Sequence, residues 1–229
     1  MSTPMRPGPS EHGPVLTFED VASLSDLGRY AYRAKMLDDE AAIRLQAFGR
    51  VLAAWVGVLP GSGILGEGLV LGLRTFALAE PADLDIAVPA AAVTDRTART
   101  TGQASFSMPD VHLTPTWASL TPPRSGWEYA GAASGDDLAA VARTGLADIG
   151  AAVKERGAAA GFTKQQVWGA TVTYDPVDEG SGSGGIELAA GVAFGAYALG
   201  FLGPGQPVQV YRTNRWVRVT GPGGHVLAR

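Results

Sequence analysis

Val208-Gln209-Val210-Tyr211-Arg212-Thr213-Asn214-Arg215-Trp216-Val217-Arg218-Val219-Thr220-Gly221-Pro222-Gly223-Gly224-His225-Val226-Leu227-Ala228 is the stretch that decides the fold class. Val208–Arg212 and Trp216–Thr220 are rich in the β-branched and aromatic residues of strands, and Thr213-Asn214-Arg215 joins them with a hairpin-length connection. Gly221-Pro222-Gly223-Gly224 then turns the chain again into His225–Ala228. Strands joined this closely must run antiparallel, because a parallel pair needs a crossover of a dozen residues or more.

Upstream, Leu188–Leu202 is so rich in Ala and Gly that it predicts a closely packed, buried helix. Residues 177–185 (Val-Asp-Glu-Gly-Ser-Gly-Ser-Gly-Gly) have the composition of a flexible linker. Asp136–Ala152 repeats apolar residues at helical spacing (Leu138, Val141, Ala142, Leu146, Ile149), with two aspartates at its start, where a helix dipole favours them. Residues 101–127 are rich in Thr, Ser and Pro and read as a linker or an ordered loop crossing the core. Leu84–Val88 predicts a strand and Pro89 opens a helix over 90–99. Leu69–Leu78 leans to strand by its composition. Val51–Leu59, apolar on both faces, predicts a central strand, and Phe48-Gly49-Arg50 predicts the turn that leads into it. Ile43, Leu45 and Ala47 alternate with Arg44 and Gln46 as in a half-buried strand. A helix from Ser25 to Leu37 (Leu27, Tyr30, Ala31, Ala34) ends at Asp38-Asp39-Glu40, and Val15–Phe18 is a short strand.

The sum is an α+β fold: a mainly antiparallel sheet, three or four packed helices and a C-terminal β-hairpin. We expect residues 1–14 to be a disordered leader with three prolines between Pro4 and Pro9, and 15–229 to form a single domain with internal loops at 101–127 and 177–185. Ala47-Phe48-Gly49 echoes Ala193-Phe194-Gly195, but in a chain this rich in Ala and Gly the echo reflects composition and not duplication.

The 229 residues are 46% apolar and 17% charged, with no cysteine. That excludes a disulfide framework, a thiolate metal site and a cysteine nucleophile. The formal charge is −4, and residues 208–229 hold four arginines and no acid, which leaves −8 on the remainder. A chain so charged is not a polyelectrolyte binder, and nucleic acid is not the expected partner. Two uncharged stretches, Val51–Gly66 and Leu188–Tyr211, are too interrupted or too short in apolar residues to span a bilayer. No membrane association is expected, and the expected location is the cytoplasm.

Three groups of residues invite a functional reading. Trp117, Arg124 and Trp127, in a Pro-rich segment, carry the side chains that anchor interfaces, or pin their own loop to the sheet. Arg215, Trp216 and Arg218 alternate so that Trp216 and Arg218 share one face, which predicts an exposed basic and aromatic surface able to touch a partner or a nucleic acid. Gly61-Ser62-Gly63-Ile64-Leu65-Gly66 follows an apolar run and precedes Asp85 by about twenty residues, the order of a dinucleotide-binding turn. Gly61, Gly63 and Gly66 would then approach a pyrophosphate, and Asp85 a ribose hydroxyl. Asp83 would share Asp85's face. The histidines at 12, 112 and 225 have no partner at metal-ligand spacing, and Gly180–Gly184 has the form of a nucleophile elbow without its strand-turn-helix setting. No catalytic group, metal or cofactor is expected. The reading is a non-catalytic binding protein acting through a protein interface or self-association, with a nucleotide-binding enzyme or sensor as the alternative and nucleic-acid contact by the hairpin as a weaker one.

Overall fold

The computed structural model describes residues 14–63, 65–100, 102–156, 161–178 and 184–229. A six-stranded antiparallel sheet forms the centre, in the order β2 (Ala42–Leu59), β3 (Val70–Pro89), β10 (Gly224–Ala228), β9 (Trp216–Gly221), β8 (Pro207–Thr213), β5 (Glu128–Ser134). The C-terminal hairpin lies where its sequence places it. Thr213 pairs with Trp216, and Asn214 takes φ +42°, in the left-handed region that asparagine tolerates better than most residues. The outer edge of β10 pairs Val226 with Gly72 and Leu227 with Leu71 of β3, so this strand joins the N-terminal strands to the C-terminal ones. Two small sheets flank the centre, β1 (Val15–Thr17) with β4 (Ser105–Ser107) and β6 (Thr171–Tyr174) with β7 (Ile186–Ala189).

Helices cover the inner face of the large sheet. α1 (Val21–Leu37) packs with α2 (Ala90–Arg99), and α3 (Gly135–Arg156) with α5 (Ala190–Ala198); α4 (Gly161–Gly169) packs beside both of the latter. These are five α-helices among the described residues. The one without a sequence expectation, α4, is short and presents no clear apolar stripe. α1 begins four residues before Ser25 because Asp20 caps it, its carboxylate accepting from Ser23 N at 2.6 Å. The Ala/Gly-rich α5 lies close on the sheet, with Gly195 against Val70 and Val226.

Two strand expectations are corrected. Phe48-Gly49-Arg50 is not a turn: β2 runs straight through it as a bulge, with Gly49 at φ +59° and a register shift between Gly49 and Val51. Val51–Leu59 is the outermost run of the sheet and not a central one. It is apolar on both faces because Leu52, Ala54 and Val56 enter the core, while Trp55 and Gly57 on the other face are covered by a loop carrying Trp117.

One buried cluster runs through both halves of the chain, from Leu27, Tyr30 and Val56 to Leu199, Phe201 and Val210. Tyr30 of α1 stacks on Phe201 with centroids 5.7 Å apart. The expected loop 101–127 contains β4 and a 3-10 turn at Thr116–Ser119. Of the expected linker 177–185, residues 179–183 lie outside the described residues, and its first two residues are fastened. Val177 N donates to Ala132 O (2.9 Å), and the Asp178 carboxylate accepts from Tyr129 Oη (2.5 Å) and Ala132 N (2.9 Å). The leader lies outside the described residues except for Pro14.

Candidate functional site

The aromatic candidates meet on the outer face of the sheet, opposite the helices. Leu69, Leu71, Trp216 and Leu227 form a buried cluster there, and Trp117, Leu120 and Trp127 cover it. Trp117 lies so close on Gly57 that a β-carbon would sit 2.6 Å from its Cδ1. Trp127 Nε1 donates to Pro123 O at 2.9 Å, which closes the loop on itself. The Arg218 guanidinium is held between Tyr211 and Trp127, its Cζ 4.3 Å and 4.8 Å from the two ring centroids. Trp216 and Arg218 do share a face, as expected. That face is not exposed, because the 113–127 loop roofs it and the indoles supply the apolar cover. Arg124 and Arg215 are left outside, both exposed. His225 lies near this cluster with its Nδ1 3.0 Å from Thr220 Oγ1, and burial, aided by the Arg218 charge, holds its pKa below the usual histidine range.

Gly61–Gly66 lies between two antiparallel neighbours. Ser62 and Glu67 exchange backbone hydrogen bonds (2.8 and 2.9 Å), Gly63 and Gly66 take φ +63° and +64°, and the chain enters β3 at Val70. No helix follows, so the helix N-terminus that a dinucleotide turn requires is not formed. Asp85 is committed elsewhere: its carboxylate accepts two hydrogen bonds from Arg44 (both 2.6 Å) and one from Gln46 Nε2 (3.0 Å). The Arg44 hydrogen bonds hold its pKa below the ordinary carboxylate range. A depressed folded-state pKa adds stability above the unfolded value near pH 4, and that contribution is lost as pH falls through the folded value. The pair is partly exposed, so Asp85→Asn should lower stability by only about 0.5–1 kcal/mol at pH 7. The difference from the parent should shrink as pH falls below about 4 and through the folded value of Asp85; a difference that does not shrink on acidification in urea titrations would refute this assignment.

The same glycine loop borders a cleft of about 680 Å³ where the two halves of the chain meet. Leu59 and Val70 from the first half and Trp168, Ala189 and Ala228 from the second supply apolar walls. Glu67, Lys164, Gln165 and Arg229 add polar and charged groups. The backbone ties the rim together: Gly68 N donates to Arg229 O (2.9 Å) and Arg229 N to Leu69 O (3.1 Å). Trp168 is only 3% exposed and stacks on Phe194 at 4.4 Å and 16°. An apolar floor rimmed by separated charges fits an extended chain or a small amphipathic molecule. Of these residues the sequence points to Gly61, in the glycine motif, and to Arg229, as one of the C-terminal arginines, and relates neither to the other. Lys164, Gln165 and Trp168 lie in a segment without a clear periodic signal, and nothing in their spacing relates them to residues one hundred positions earlier.

Comparisons place this geometry among known proteins. Residues 12–119 match the family model described as Domain of unknown function (DUF8010), and residues 122–229 that described as Domain of unknown function (DUF8185). No curated protein matches in sequence. Among solved structures, DNA polymerase III subunit beta from Borrelia burgdorferi in complex with a natural product superposes with a TM-score of 0.59 at 6% identity, over 93% of this chain and 64% of that one. The DnaN sliding clamp (DNA polymerase III subunit beta) from Bartonella birtlesii bound to griselimycin gives 0.56 at 11%, over 94% and 65%. The DNA polymerase sliding clamp from Caulobacter crescentus gives 0.54 at 13%, over 94% and 65%. The fold is that of the sliding clamps, and this chain spans just under two thirds of their length.

Proposed function

We propose that this chain is a non-catalytic, clamp-like scaffold of the cytoplasm that holds an extended segment of a partner protein in the cleft between its halves. The observation that carries this is the cleft itself, about 680 Å³ and built by both halves beside the strand that joins them. Apolar side chains of the segment would rest on Leu59, Val70 and Trp168, and an acidic group would meet Lys164 and Arg229. Peptide grooves combine these features, with apolar pockets giving affinity and placed charges giving register. The fold shared with proteins named as DNA polymerase III beta subunits, two of them described with a bound compound and one of those named as a sliding clamp, supports a binding role over a catalytic one.

Selection of a random twelve-residue peptide library against the full chain tests the reading. The expected result is a consensus that pairs two apolar residues with an acidic one. Its affinity should fall about tenfold in Lys164→Glu combined with Arg229→Glu, as when complementary charges become like charges. No enriched consensus, or one indifferent to the charge reversal, would sink the proposal. Light scattering in parallel separates a foreign partner from a second copy of this chain.

A second reading rests on α1 and α2, which carry Arg29, Arg33, Lys35, Arg96 and Arg99 against Asp26 and Asp95. In a fold shared with DNA polymerase subunits this helical surface favours nucleic acid as a further partner. The sequence-based expectation against nucleic acid gains no support from these neighbours.

A further inference from the structure

Gly145 lines no part of the junction cleft, yet it determines where one wall of that cleft stands. It lies in the interior of α3, where alanine would suit the helix better, so helix stability does not account for a glycine there. Contact does. A β-carbon at this position would sit 2.4 Å from Cζ3 and 2.7 Å from Cη2 of Trp168, and 3.0 Å from Cγ1 of Val167. The six-membered ring of Trp168 occupies a notch that exists because residue 145 has no side chain.

Trp168 borders two cavities: the junction cleft, and a groove of about 370 Å³ between α3 and α4 that Thr144, Gly145 and Val172 also line. Phe194 stacks face to face on the indole and so sets the plane of the ring. Stacked rings slide along their shared plane more readily than they tilt, since offset arrangements are favourable. What stops the slide toward α3 is the depth of the notch.

We propose that Gly145 is a positioning residue for the junction cleft, its missing side chain letting Trp168 withdraw toward α3 and so setting how deep the cleft is. This rests on the reading of the cleft as a binding site. Any group larger than hydrogen at 145 pushes the indole back into the space a ligand would fill, because a packed interior transmits such a displacement instead of absorbing it.

The test uses the full chain labelled with 5-fluorotryptophan and, as probe, 1-anilinonaphthalene-8-sulfonate, an apolar aromatic anion suited to the floor, Lys164 and Arg229. The Trp168 fluorine resonance is assigned by its loss in Trp168→Phe. In Gly145→Ala this resonance should move, and probe affinity should fall at least about fivefold although no cleft residue has changed. Adding Trp168→Phe to Gly145→Ala withdraws the clashing ring atoms and should restore affinity to within about twofold of Trp168→Phe alone. The same double variant keeps the test valid if Gly145→Ala folds poorly.

An unmoved resonance overturns the notch. A moved resonance with unchanged affinity, or no rescue in the double variant, overturns the positioning role. Probe binding indifferent to Lys164→Glu with Arg229→Glu overturns the cleft reading and with it the site that Gly145 is said to position. That failure is distinguishable, because the resonance would still move.

Discussion

Tyr30→Ala should destabilise the protein by about 4 kcal/mol, whereas Tyr30→Phe should be neutral or stabilise it by about 1 kcal/mol. Tyr30 is 1% exposed, and its ring bridges the halves by stacking on Phe201. Truncation to alanine removes a large buried ring from a close-packed region and leaves a cavity that its neighbours cannot fill. The hydroxyl is a separate matter. Among the described residues it has no hydrogen-bond partner, and burial pushes its pKa far above the usual tyrosine range. A buried, unpaired hydroxyl lost its water on folding and gained nothing in return, so deleting it should not harm the fold. Urea titrations followed by circular dichroism measure both variants. A loss of 2 kcal/mol or more in Tyr30→Phe, in the range expected for a broken buried hydrogen bond, would show that the hydroxyl is paired after all.

Gly221→Ala should cost about 2–3 kcal/mol, more than Gly72→Ala, although both glycines are tightly enclosed. A β-carbon on Gly221 would lie 2.2 Å from the carbonyl oxygen of Phe201, and one on Gly72 would lie 2.1 Å from Leu199 Cδ1. The distances are alike and the obstacles are not. Leu199 can change rotamer, at about 1 kcal/mol for an off-minimum side chain. The Phe201 carbonyl is backbone, and it accepts a hydrogen bond from Gly223 N (3.3 Å) in the turn that leads into β10. Moving it shifts the strand that joins the two halves. The same titrations give the order of the two variants; Gly72→Ala as the more damaging would mean that the 201–223 turn is softer than this packing implies.

Local signals account for most of the architecture. Asn214 and the run Gly221–Gly224 marked the C-terminal turns, because few residues accept those backbone conformations. Leu27, Tyr30, Ala31 and Ala34 marked α1 because helical spacing brings them to one buried face, and the alternation of Ile43, Leu45 and Ala47 marked the start of β2. The errors share one cause. Phe48-Gly49-Arg50 has the composition of a turn, but a left-handed glycine serves a bulge equally well, and the choice falls to the partner strand β3. Val51–Leu59 is apolar on both faces, as a central strand would be, but the second cover comes from Trp117, sixty residues on.

The candidate site shows the same division. The sequence alone determined the α+β class, the antiparallel C-terminal strands, the buried Ala/Gly-rich α5 and the shared face of Trp216 and Arg218, since each depends on residues a few positions apart and on backbone geometry that any environment would respect. Tertiary structure alone decided that this face is roofed, that the chain after Gly66 enters a strand and not a helix, and that Leu59, Trp168 and Arg229 surround one cleft. Those outcomes depend on which distant surfaces bury one another, and burial is non-directional, so nothing in the spacing of residues encodes it.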